Sequence, residues 1–99
     1  MLVVTLLAVG CMAWARGKSW IGTVSDSHCG AKHATASEAA TACVTQCVAG
    51  GAKYVLVSGG KVYQLDAQDK FAHFAGKSVK VTGSVKGDSI TVELVEATR

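Results

Sequence analysis

Lys53-Tyr-Val-Leu-Val-Ser-Gly-Gly-Lys-Val-Tyr-Gln-Leu65 is the stretch from which the fold is read. Its two halves, Lys53–Val57 and Lys61–Leu65, are rich in β-branched and aromatic residues that favour strands. Ser58-Gly59-Gly60 between them supplies the glycines that a tight hairpin turn needs. Downstream, Val79, Val81 and Val85 alternate with Lys80, Thr82, Ser84 and Lys86, and Ile90, Val92 and Leu94 alternate with Thr91 and Glu93. Joined by Lys86-Gly87-Asp88, these runs predict a second antiparallel hairpin with one apolar face. Between the hairpins, Asp66 is placed to cap a short helical turn from Gln68 to Ala75, with Phe71 and Phe74 toward the core and Gly76 as the stop.

Upstream, Ser19–Ser25 alternates as a first strand, with Trp20, Gly22 and Val24 on one face and Ile21, Thr23 and Ser25 on the other. Asp26–Ala34 reads as a loop. Thr35-Ala-Ser-Glu38 has the capping-box pattern, and Ala40, Cys43, Val44, Cys47 and Val48 recur at the three-and-four spacing of one helical face before Gly50-Gly51. The helix is expected over about residues 36–49, with Cys43 and Cys47 one turn apart on its buried side. The succession is strand, helix, two strands, short helix, two strands. It predicts an α+β, mostly β fold: a five-stranded OB-like barrel with a helix inserted after strand 1 and a short helix between strands 3 and 4. An open α+β sheet covered by the first helix is the alternative.

The single domain is placed at residues 19–97, because what precedes it reads as a leader. Leu2–Val9 is an apolar run far short of the roughly 20 residues a bilayer span requires. Followed by Ala13-Trp14-Ala15, it resembles a signal peptide over residues 1–15. Leu7-Ala-Val-Gly-Cys11 offers a second route, a lipobox in which Cys11 is lipidated; cleavage after Ala15 is preferred, since Ala8 stands where Leu is usual. The protein is therefore expected to be periplasmic or secreted from a bacterium, or else lipid-anchored. Its only expected membrane attachment is a lipid on Cys11.

All ten Lys and Arg lie from Arg16 onward, and the chain carries a formal charge of +3. They are dispersed without a run of three, so neither nucleic acid nor an acidic membrane is suggested as a partner. Trp20, Tyr54 and Tyr63 are accordingly read as packing residues rather than a base-stacking surface, and His73 as an exposed residue.

The chemistry concentrates in residues 26–47, which hold three of the four cysteines and two of the three histidines. A tetrahedral site needs four ligands from thiolate, imidazole or carboxylate. Cys43 and Cys47 from the helix, with Cys29 and His33 from the loop, make a Cys3His set; His28 is the substitute for His33. Asp26 is a candidate acceptor for a ligating imidazole. The only methionines, Met1 and Met12, fall in the leader, so thioether copper sites lack a donor and zinc or thiolate–imidazole copper remains. The rival reading is a disulfide from Cys29 to Cys43 or Cys47. Tying a loop of about 15 to 19 residues is worth roughly 3 kcal/mol in the chain-entropy model, and an exported compartment permits it. A Cys29/His33 nucleophile pair is a weak signal, and no enzymatic activity is expected.

Gly22-Thr-Val-Ser-Asp26-Ser-His-Cys29-Gly30-Ala-Lys-His33, Cys43-Val-Thr-Gln-Cys47-Val-Ala-Gly-Gly-Ala-Lys-Tyr54 and Gly76-Lys-Ser-Val-Lys-Val-Thr-Gly83 resemble a group of small exported, largely uncharacterised bacterial proteins. These share a G-x-[IV]-[ST]-D-x-x-C-G-x-x-H opening. The resemblance implies a secreted or periplasmic β-rich domain, implies no activity, and marks Asp26, Cys29, Gly30 and His33. Two functions are carried forward. One is an exported binding module whose Cys/His site takes zinc or copper. The other is a disulfide-stabilised structural or interaction domain without a metal, its ligand or protein partner unknown.

Overall fold

The computed structural model describes residues 17–98. The expected leader over residues 1–15, Cys11 and the expected cleavage after Ala15 lie outside the described residues. Five strands, β1 (Lys18–Asp26), β2 (Tyr54–Ser58), β3 (Lys61–Leu65), β4 (Ser78–Lys86) and β5 (Ser89–Ala97), close into a barrel in the order β1-β2-β3-β5-β4. All pairings are antiparallel except β3 with β5, which is parallel through Gln64↔Ser89 and Leu65↔Ile90. This is the OB-like succession expected, and closure removes the unpaired edges an open sheet would present. The helix inserted after β1 is α1 (Glu38–Ala49), and a 3₁₀ segment at Gln68–Phe74 lies between β3 and β4.

Val24, Leu56, Leu65, Val79, Val81, Ile90 and Val92 from the strands form one core with Phe71, which is fully buried. Trp20, Tyr54 and Tyr63 pack half-buried against this core, the Trp20 and Tyr63 rings 6.0 Å apart, and His73 is exposed. The expected apolar face of β5 is correct for Ile90 and Val92 and fails at Leu94, which is 50% exposed. The register explains it: Gly83 pairs with Val92 and Thr82 with Leu94, so Glu93 is an extra residue on β5. A bulge of this kind reverses the alternation beyond it, and Val95 rather than Leu94 packs on the core.

Two expected caps are replaced. Ser37, not Thr35, caps α1, its hydroxyl accepting from the Ala40 amide at 2.9 Å, so the helix begins at Glu38. Asp66 caps nothing; its carboxylate accepts from the Val92 amide at 2.9 Å and ties β3 to β5. Gln68 holds the start of β2: its side-chain amide accepts from the Tyr54 N–H and donates to the Tyr54 carbonyl.

The segment Ala75–Lys77 seats α1 against β1. The Gly76 amide donates to the Val24 carbonyl at 2.8 Å, the Gly76 carbonyl accepts from the Ser37 amide, and Thr41 Oγ1 donates to the Ala75 carbonyl at 2.7 Å. Gly76 has φ +71°, and a Cβ there would overlap the Thr41 backbone. The start of the helix can approach the barrel this closely only because Gly76 carries no side chain.

Candidate metal centre

Thr23, Ser25 and Asp26 at the end of β1 are buried although two of them face away from the barrel interior. The chain that follows folds back over them and is held by their side chains. Ser25 Oγ donates to the Gly30 carbonyl at 2.8 Å, and Thr23 Oγ1 donates to the Ala34 carbonyl at 3.1 Å. Asp26 Oδ1 accepts from both the His28 and Cys29 amides at 2.8 Å, a local side-chain turn of the kind aspartate favours. Gly30, at φ +52°, opens a 3₁₀ turn over Gly30–His33. The result is that Cys29 and His33 face back toward α1.

From α1, Cys43 and Cys47 meet them. Cys29 Sγ and Cys43 Sγ are 3.9 Å apart, and all three cysteines of the described residues are free thiols. Ligand atoms of Cys29, His33 and Cys43 lie within 4.8 Å of one another, and so do those of Asp26, Cys29 and Cys47. The Cys29 sulfur belongs to both groups. The four residues of the expected Cys3His set are thus brought close together, divided between two overlapping triads. His28 belongs to neither; it is exposed and lines an open cleft with Ser27, Cys47, Gly50 and Ala52.

Two buried polar atoms in the cluster have no hydrogen-bond partner: His33 Nε2 and Asp26 Oδ2. Buried polar atoms are otherwise almost always satisfied. Asp26 also corrects its expected role, because its bonded oxygen orders the loop backbone and accepts nothing from an imidazole. Burial and the neighbouring Cys43 thiol push the Cys29 thiol up, with the Asp26 carboxylate adding to the effect. Cys47 is pushed up to about 12, first by burial, then by Asp26 and Cys29. Both thiols therefore keep their protons at neutral pH unless a cation displaces them.

The sequence marked the sulfurs and His33 but missed Thr23 and Ser25. The signal was present, since both are hydroxyl residues at outward positions immediately before the loop whose carbonyls they hold.

Residues 48–98 match the model of a family described as a protein of unknown function, DUF5818. The match spans just over half of the chain, which belongs to that family. It begins one residue after Cys47 and covers β2 to β5, so the thiols and His33 lie outside it. No curated protein matches the chain. No solved structure matches it.

Proposed function

We propose that this member of the DUF5818 family is an exported metal-binding module whose Cys29, His33 and Cys43 hold a zinc or copper ion. The observation that carries the reading is the 3.9 Å separation of the Cys29 and Cys43 sulfurs beside a buried, unpartnered His33 nitrogen. Two sulfurs bound tetrahedrally to one ion at about 2.3 Å are about 3.8 Å apart. That spacing suits a shared ion as it stands, whereas a disulfide would need the sulfurs to close to about 2.0 Å. The unpartnered imidazole nitrogen is the atom that a metal ligand offers. Export is supported by the leader-like residues 1–15 and the preferred cleavage after Ala15.

The same closeness also favours the second reading, a Cys29–Cys43 disulfide pinning the loop to α1. Thiol counting on denatured, non-reduced protein from the periplasm, with elemental analysis of the same preparation, separates the two. Three free thiols with bound zinc or copper support the metal module. One free thiol and no metal support the disulfide and refute the module.

A further inference from the structure

The centre proposed above uses one side of Cys29 and leaves the other unexplained. On that other side Asp26, Cys29 and Cys47 gather their ligand atoms within 4.8 Å. Asp26 is 0% exposed; its Oδ1 is engaged by two loop amides and its Oδ2 meets no donor. A buried carboxylate with a bare oxygen calls for a cation. The ion pair found among the described residues, Lys61 with Asp88, does not supply it. Cys47 also lines the cleft of about 390 Å³ that it shares with Ser27 and His28, so this side of the cluster is open to solvent.

We propose that Asp26, Cys29 and Cys47 hold a second thiophilic divalent cation, bridged to the first through the Cys29 sulfur. The inference rests on the metal reading of Cys29, His33 and Cys43. Charge is compatible with it: with both ions bound, three thiolates and one carboxylate carry four negative charges, which two dications neutralise. Water, or the His28 imidazole lining the same cleft, completes the outer ion's shell. The inner ion has His33 as its nitrogen ligand, and the outer ion has Asp26 as its oxygen ligand. Thiolate shared between two ions accounts for three cysteines serving both.

The test is a titration of the reduced, chelator-stripped full chain with zinc or cobalt(II). Native mass spectrometry counts the ions retained against a competing weak chelator. The expected count is two per chain, with cobalt giving thiolate charge-transfer absorption in the near ultraviolet. Cys47→Ser, Asp26→Asn and His33→Ala are each expected to retain one. Asparagine keeps an oxygen toward the two loop amides, so the Asp26→Asn fold is preserved and circular dichroism checks it. A wild-type chain saturating at one ion that His33→Ala abolishes refutes the second position and leaves the first standing. Two ions retained by both Cys47→Ser and Asp26→Asn also refute it, and a chain that retains none refutes both.

Discussion

Replacing Asp26 by alanine is expected to release the loop that carries Cys29. The side chain is fully buried, and Oδ1 holds the His28 and Cys29 amides at 2.8 Å each. A hydrogen bond to a charged group contributes about 1.5–3 kcal/mol net, so two set an upper range of roughly 3–6 kcal/mol. The loop lies at the surface and its freed amides gain some water, which brings the expected loss to about 2–4 kcal/mol. In a domain of this size that lowers the melting temperature by roughly 10–25 °C. Asp26→Asn keeps an acceptor for both amides and is expected to stay within about 1 kcal/mol of wild type. The comparison belongs in reduced, metal-free protein, followed by circular dichroism on heating, so that ligand loss does not enter. Equal melting of the alanine, asparagine and wild-type proteins would refute the claim that this carboxylate orders the loop.

Ser37→Ala is expected to cost about 1 kcal/mol through loss of the α1 cap, while Thr35→Ala is expected to cost little; urea unfolding of the two variants distinguishes them. Gly76→Ala introduces a Cβ against the Thr41 backbone at φ +71°, and is expected to cost about 2–4 kcal/mol from strain and overpacking together. It should also weaken zinc retention by displacing α1, which a chelator competition assay reads. The metal-free protein is expected to lose stability as pH rises above 9. An unfolded thiol releases its proton near 9.0, whereas folded Cys47 holds it to about 12 and Cys29 is shifted the same way. The folded state then binds more protons than the unfolded state, so unfolding is favoured with rising pH through that window and is unaffected below it. Urea midpoints at pH 8 and 10.5 should fall for wild type and fall less for Cys47→Ser.

Much of the architecture was legible because the barrel strands carry local signals. Gly59-Gly60 and Gly87, all at positive φ, mark the two hairpin turns where the chain must reverse. Valine alternation marks which face of β4 is inward, and Val79 and Val81 are both fully buried. The alternation misled only at Leu94, where the bulge at Glu93 is set by pairing across to Thr82 and Gly83. Nothing local in Ile90–Leu94 announces an extra residue. Choosing Ser37 over Thr35 as the cap was equally non-local, since the Ser37 amide donates to Gly76, far away in the chain.

For the site, sequence by itself determined the inventory: soft ligands crowded into residues 26–47, with Cys43 and Cys47 on one helical face because the helix period puts them there. Only the tertiary structure decided the geometry. It chose His33 over His28 for the triads, split the cysteines into two groups around Cys29, and turned Asp26 from a candidate partner of an imidazole into the anchor of the loop. The physical reason is that a side chain's neighbours along a helix or strand follow from periodicity. The path of a nine-residue loop follows from hydrogen bonds made to a strand already placed by the barrel.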